Sequence, residues 1–235
     1  MKVPVSNRMK ISADLLEPAQ AVADIGCDHA YTSMYMIETG KAKKVLAMDI
    51  NEGPLATARK NISNYGYERQ IETRQSNGME KLQAGEVDSV LICGMGGVLI
   101  CQILTEGKVL FSGLKQLVLQ PQSEVGLVRK FLHENGFFIE KEVMVLEDGK
   151  YYVVIRAIPG HECYEQEWEY KYGKYLFEKN DELYFAFLKK RYESKKEILE
   201  GLLEKKTSNS RTIEKIKALQ EELTVLKTLR GNYHG

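Results

Sequence analysis

No run of apolar residues in this 235-residue chain approaches the roughly 20 that a membrane-spanning helix needs. The amino-terminal residues also lack the apolar core of a signal peptide. A cytoplasmic protein without a membrane partner is therefore expected. Net charge is missing as well, because 33 Lys and Arg balance 33 Asp and Glu. That balance excludes a global basic field of the kind that marks many nucleic-acid binders, so any such binding must use local patches. Cysteine is sparse: Cys27, Cys93, Cys101 and Cys163 form no CxxC pair and no group with the spacing of a zinc site. Reduced thiols and no metal are expected, and His161 with Cys163 reads as a solvated loop. The 43% of hydrophobic residues suffices for one substantial core plus an appendage.

The stretch Val22-Ala23-Asp24-Ile25-Gly26-Cys27-Asp28-His29-Ala30-Tyr31 organises the chain. An apolar strand over 21–25 breaks at Gly26 and opens into a helix over 31–38 that ends at Gly40. Parallel α/β sheets bind ligands beyond the carboxyl ends of their strands, and a glycine there lets a ligand approach the backbone. A dinucleotide fingerprint would need further glycines where this chain has Asp28 and Tyr31, and a carboxylate beside a pyrophosphate would repel it. The expected cofactor is poor in phosphate. A second strand over 44–50 carries Asp49, which follows Gly26 at about the 20-residue distance that places an acidic side chain on a ribose diol. Asp49 could also simply cap the next helix, which starts near Asn51 to Pro54, carries Leu55, Ala58 and Ile62 at helical spacing, and runs to Asn64.

A third strand over 70–74 leads into Ser76-Asn77-Gly78. A nearly continuous apolar strand over 87–93 then runs into Gly94-Met95-Gly96-Gly97, where three glycines leave backbone groups open to a ligand. A helix over 98–104, a strand over 116–119 ending in Gln120-Pro121-Gln122 and a helix over 124–135 follow. Two strands without an intervening helix, 137–146 and 151–157, close the series around the turn Glu147-Asp148-Gly149. Five β/α steps with a terminal antiparallel hairpin resemble the Rossmann-like class I S-adenosylmethionine-dependent methyltransferase fold. A domain over 1–160 is expected, with residues 1–20 as a lid or cap.

Residues 161–235 are charged and aromatic, with 15 Lys and Arg against 14 Asp and Glu. Phe185, Leu188, Tyr192, Lys195, Leu199 and Leu202 recur at three and four, as do Ile216, Leu219, Leu223 and Leu226 beyond the polar break Thr207-Ser208-Asn209-Ser210. The spacing predicts a helical hairpin, an antiparallel coiled coil.

S-adenosylmethionine carries a positive sulfonium and no phosphate, so an acidic first loop suits it. Asp24 can fix the loop or reach the ammonium through water, Gly26 gives close approach, and Asp49 can accept both ribose hydroxyls. Asn77 could accept from the adenine amine with its side-chain oxygen. His29 and Tyr31 read equally well as packed side chains.

Asp24-Ile25-Gly26-Cys27-Asp28-His29-Ala30-Tyr31, Gly53-Pro54, Gly94-Met95-Gly96-Gly97 and Leu119-Gln120-Pro121-Gln122 together resemble the bacterial TrmK family of tRNA adenine-N1 methyltransferases, which modify adenine 22 of tRNA. The resemblance covers the whole chain. It departs at Thr32-Ser33, where the family has an apolar residue and proline, at Asp49-Ile50 in place of Glu-Val, and at Ser76-Asn77-Gly78 in place of Gly-Asp-Gly. It implies S-adenosylmethionine held by Asp24, Gly26, Asp28, Asp49, Ile50, Asn77, Gly78, Gly94 and Met95, and tRNA as partner.

The glycine loop lacks the Asn/Asp-Pro-Pro-aromatic motif of amino-methylating relatives. Adenine N1 is unprotonated near neutral pH and has no proton to lose, so alignment matters more than a base. The product base is cationic, which makes Asp28 the candidate for stabilising it, with His29 or Tyr31 positioning the base. A paired adenine must be flipped out first, and the backbone at Gly96 and Gly97 would leave room for it. Phosphate contacts are expected from Arg8 and Lys10, and from the Lys189-Lys190-Arg191 and Lys195-Lys196 runs. The alternatives are a small-molecule or protein methyltransferase, suggested by the neutral charge, and a non-catalytic binding module.

Overall fold

The computed structural model describes residues 3–204 and 209–231. Thr207 and Ser208, within the expected break, lie outside the described residues. The chain packs as two units, Met1–Lys171 and Tyr172–Gly235. Residues 161–171, which composition groups with the extension, pack with the first unit.

The first unit is built on seven strands: β1 (Ala19–Ile25), β2 (Ala42–Asp49), β3 (Ile71–Gln75), β4 (Ser89–Met95), β5 (Gln116–Pro121), β6 (Phe137–Glu147) and β7 (Lys150–Pro159). Their spatial order is β3-β2-β1-β4-β5-β7-β6. The first five are mutually parallel, and β7 runs antiparallel to both neighbours. The terminal hairpin thus inserts its second strand next to β5 and leaves β6 at the edge. Near-continuous burial explains why the parallel strands read as unbroken apolar runs: Val90, Leu91 and Ile92 are fully buried. Each such side chain contributes about 1.5–3 kcal/mol.

Helices cover both faces: α1 (Asn7–Asp14), α2 (Tyr31–Glu38), α3 (Glu52–Tyr65), α4 (Gly97–Glu106) and α5 (Val125–Glu134). In α3, Leu55, Ala58 and Ile62 turn inward, and Gly66 ends the helix with φ 77°. The first of these helices is more regular than the mixed sequence before Pro18 suggests, and Ser6 caps it by accepting the Met9 N–H at 3.4 Å. From β1 the chain moves outward to β2 and β3, then returns to place β4 and β5 on the other side. This reversal leaves a crevice beyond the carboxyl ends of β1 and β4, where sheets of this class bind ligands.

Away from that crevice, Arg129 of α5 and Glu142 of β6 form a buried ion pair, Nε to Oε1 at 2.7 Å, with side chains 1% and 0% exposed. The Arg129 Nη1 also donates to the Tyr170 carbonyl at 2.6 Å. Beside them, the His133 ring meets Tyr164 and Tyr170 edge-on, and its Nε2 lies 3.2 Å from Glu162 Oε2. These contacts account for the packing of residues 161–171 with the sheet domain.

The second unit comprises α6 (Lys174–Glu178), α7 (Glu182–Glu204) and α8 (Ser210–Gly231). Tyr184, Phe185 and Leu188 of α7 and Leu219, Leu226 and Leu229 of α8 are buried. Lys195, the charged residue in an otherwise apolar stripe, pairs with Glu222 at 3.0 Å, and Glu222 also accepts from the Tyr172 hydroxyl at 2.6 Å.

Candidate functional site

The first loop is fastened to the neighbouring strand, since the Gly26 and Cys27 N–H groups both donate to the Met48 carbonyl, at 2.8 and 3.0 Å. Gly26 adopts φ 74°, and a Cβ there would come within 2.2 Å of the Met95 methyl. Two independent constraints therefore require glycine. Beyond it, Asp28 at φ 50° and Ala30 at φ 59° reverse the chain into α2, and Asn61 of α3 donates to the His29 carbonyl at 3.1 Å. The loop encloses a cavity of about 170 Å³ lined by Asp24, Gly26, Asp28, His29, Tyr31 and Met9.

Asp24 is buried and accepts a 2.6 Å hydrogen bond from the Ser33 hydroxyl. Burial raises its pKa to about 6, with Ser33 opposing and Asp49 adding to the rise. The same burial raises the Cys27 thiol well above its ordinary range, reinforced by Asp24, and pushes Cys93 up to about 12. Both cysteines border the cavity. The Asp28 side chain is 71% exposed, with Oδ1 3.6 Å from His29 Nε2, and the rings of His29 and Tyr31 lie edge-to-face at 6.4 Å.

At the end of β2, Asp49 Oδ1 accepts the Asn51 N–H at 2.9 Å. Asp49 therefore supports the turn into α3, where Asn51 makes no side-chain cap of its own. That bond also orients the carboxylate. Ile50 beside it is 56% exposed, an apolar surface next to a polar one. The Ser76 N–H donates to the Asp49 carbonyl at 2.9 Å, which draws the third loop against β2. There Asn77 donates from Nδ2 to Glu80 at 2.8 Å, a bond that turns its Oδ1 into the acceptor end. Gly78, at φ 53°, packs on Ile103.

Gly94 adopts φ 79° where the register between β4 and β5 shifts. Its N–H donates to the side-chain oxygen of Gln120 at 3.1 Å. Gly97, expected to leave room for a base, is buried: its N–H donates to the Ser123 carbonyl at 3.0 Å, and a Cβ would come within 2.6 Å of that oxygen. It sets the approach of α4 to the preceding loop of α5. Gly96 lies at the start of that turn, facing the Ser123 hydroxyl.

Arg8, expected to contact phosphate, is instead engaged inward. Its side chain is 14% exposed, with Nε 3.2 Å from Glu147 Oε2. Its backbone N–H donates to Glu147 Oε1 at 2.9 Å, its Nη1 donates to Gln120, and its guanidinium lies 4.8 Å from the Tyr152 ring centroid. Glu147, Gln120, Ser33 and Met9 are residues that sequence reasoning did not single out individually. Gln120 left a trace as an amide at the end of an apolar strand, Glu147 as part of a turn and Ser33 as a departure from the family pattern, whereas Met9 left none.

These residues suit a cationic, phosphate-free nucleoside cofactor. The glycine at the switch point has no room for a side chain, an oriented carboxylate stands at the end of β2, and a buried carboxyl faces the cavity. Among the described residues, no group of three His, Cys, Asp or Glu is arranged to hold a metal ion.

Comparison with known proteins gives a consistent result. The family model described as TrmK, tRNA (adenine(22)-N(1))-methyltransferase, matches residues 22–228. The tRNA (adenine(22)-N(1))-methyltransferase of Bacillus subtilis is 35% identical over 159 residues, 68% of this chain and 67% of that protein. M. capricolum TrmK, solved with the cofactor product S-adenosyl-homocysteine, superimposes with a TM-score of 0.84 at 27% identity, covering 98% of this chain and 99% of that one. Streptococcus pneumoniae Sp1610, solved with S-adenosyl-L-methionine, superimposes with a TM-score of 0.81 at 28% identity, covering 94% and 100%.

Proposed function

The chain belongs to the TrmK family of tRNA (adenine(22)-N(1))-methyltransferases, and from that premise we propose how its residues divide the work. The protein methylates N1 of an adenine in tRNA, with S-adenosylmethionine as methyl donor. Family membership supersedes the small-molecule, protein and non-catalytic alternatives.

When bound, S-adenosylmethionine supplies an electrophilic methyl group on a positive sulfonium. Gly26, Gly94 and Met95 would form its backbone cradle at the β1/β4 crevice. Asp49 would accept the ribose hydroxyls, Ile50 and Gly78 would flank the adenine, and Asn77 would accept from its amine. Asp24 would face the positive end of the donor, whose charge offsets the cost of ionising a buried carboxyl.

On the acceptor side, the N1 lone pair needs no base, so the protein's task is to align it and to stabilise the charge that develops on the ring. Asp28 stands at the mouth of the cavity as the carboxylate for that charge. His29 and Tyr31 offer the ring surface and polar edge against which a flipped-out adenine is positioned. The tRNA backbone would meet Lys10 and the basic residues Lys189, Lys190, Arg191 and Lys196. No described helix is long and apolar enough to cross a membrane, and action on tRNA supports a cytoplasmic location for the protein.

The observation that carries this division is the meeting of Gly26 and Met95 beside Asp24 at the switch between β1 and β4. Incubating the protein with tRNA and methyl-labelled S-adenosylmethionine and mapping the label tests it. Methyl on adenine N1 at position 22 is expected, whereas label on another atom or on protein would sink the reading.

A further inference from the structure

We propose that Gln120 and Arg8 are positioning residues for methyl transfer, acting together through the Gly94 backbone. The inference rests on the methyltransferase reading above.

Gln120 is fully buried at the end of β5. Its Oε1 receives two donors, the Gly94 N–H at 3.1 Å and the Arg8 guanidinium. The two donors define which way the amide faces, because a flipped Gln120 would direct its own N–H groups at both of them. Arg8 thereby selects the orientation in which Gln120 can hold Gly94.

Arg8 is itself clamped. Glu147 at the end of β6 accepts from both its backbone N–H and its Nε, and Tyr152 of β7 supports the guanidinium face. The Arg8 backbone N–H and guanidinium hold the Glu147 carboxyl below its ordinary range, so the clamp is charged at neutral pH.

The target of this chain of contacts is a residue with no side chain of its own. Gly94 occupies the left-handed region exactly where β4 and β5 lose register, so hydrogen bonds rather than packing fix the aim of its peptide groups. It also lies between Met95, which meets the cofactor loop, and the Met9 methyl of α1, which a Cβ on Gly94 would approach to 3.6 Å. A reaction that proceeds by alignment without a base is sensitive to this placement, since a displacement of about 1 Å can lower the rate about 100-fold. The amino-terminal helix is thus part of the catalytic frame, and Arg8 serves it from within.

Steady-state kinetics with tRNA and S-adenosylmethionine, with calorimetry of S-adenosyl-homocysteine binding, test the proposal. For Gln120→Ala, kcat should fall about 10- to 100-fold while the tRNA KM and the product affinity stay within about 3-fold. Gln120→Glu should keep most of kcat, because a carboxylate still accepts from both donors. Arg8→Met should lower kcat alone, and the double variant Arg8→Met/Gln120→Ala should be no worse than the weaker single variant, because the two act as one unit.

The inference is overturned by Arg8→Met raising the tRNA KM with kcat intact, by multiplying losses in the double variant, or by Gln120→Glu failing as badly as Gln120→Ala. If Gln120→Ala does not fold, Gln120→Glu and Arg8→Met decide the matter. A wild-type protein that transfers no methyl to tRNA removes the methyltransferase reading itself. Normal wild-type transfer with unaffected variants removes only this inference.

Discussion

Gly26 stands directly against Met95: a Cβ on the glycine would lie 2.2 Å from the methionine methyl. The loop after β1 and the end of β4 thereby meet where the strand order reverses.

Gly26→Ala should therefore displace Met95 and also force an alanine into the left-handed region, at about 1–2 kcal/mol. Calorimetry should show S-adenosyl-homocysteine affinity reduced at least about 10-fold. Unchanged affinity would mean that the Gly26 loop does not touch the cofactor.

Asp49→Asn keeps a side-chain oxygen for the Asn51 N–H and removes only the charge. A hydrogen bond to a charged group is worth about 1.5–3 kcal/mol, so cofactor affinity should fall about 10- to 100-fold with little change in thermal stability. Loss of stability without loss of affinity would leave Asp49 as a turn residue alone.

Asp28→Asn retains a residue tolerant of the left-handed conformation at φ 50° and deletes the carboxylate. Turnover should fall about 100-fold, the scale of one lost electrostatic contact to the developing charge, while product affinity holds. Normal single-turnover rates would remove Asp28 from the mechanism.

Asp24 gives the protein a pH signature. Its pKa rises from 3.8 to about 6 on folding, so its contribution to stability is complete below the unfolded value and is lost as pH rises through about 6. Denaturation of the cofactor-free protein should reveal a loss on the order of 3 kcal/mol from this group between about pH 4 and pH 7, absent in Asp24→Asn. A cationic ligand favours the ionised form, so S-adenosylmethionine affinity should increase with pH up to about 6 and then level off. A flat affinity profile across that range would separate Asp24 from the cofactor.

Arg129 and Glu142 offer a stability test remote from the site. Arg129→Met leaves a carboxylate buried without its partner and should cost about 3–5 kcal/mol in urea unfolding, most of it recovered in Arg129→Met/Glu142→Leu. A double variant as unstable as the single would show that the pair stabilises by more than mutual neutralisation.

Much of the sheet was legible because its signals are local. The apolar run ending at Gly94 and the Leu55, Ala58 and Ile62 stripe each report burial through their own spacing, and the strand ends name the loops that meet at the crevice. The inward contacts of Arg8 were hidden for the opposite reason. A cation near an amino terminus looks available to phosphate, but Glu147, Gln120 and Tyr152 come from distant strands that only the folded sheet brings to it. Gly97 likewise looks like open backbone until Ser123 and Glu124 are seen against it. The junction near residue 160 follows the same logic, since composition changes there while Tyr164 and Tyr170 pack around His133.

The two sulfurs that border the cavity have a further significance. An alkylating cofactor endangers any strong nucleophile beside it, and for cysteine that nucleophile is the thiolate. With Cys93 pushed up to about 12 and Cys27 held higher still, both stay protonated at neutral pH. The burial and acidity that shape this pocket for a cationic donor thus also favour the thiol form of both cysteines, the weaker nucleophile.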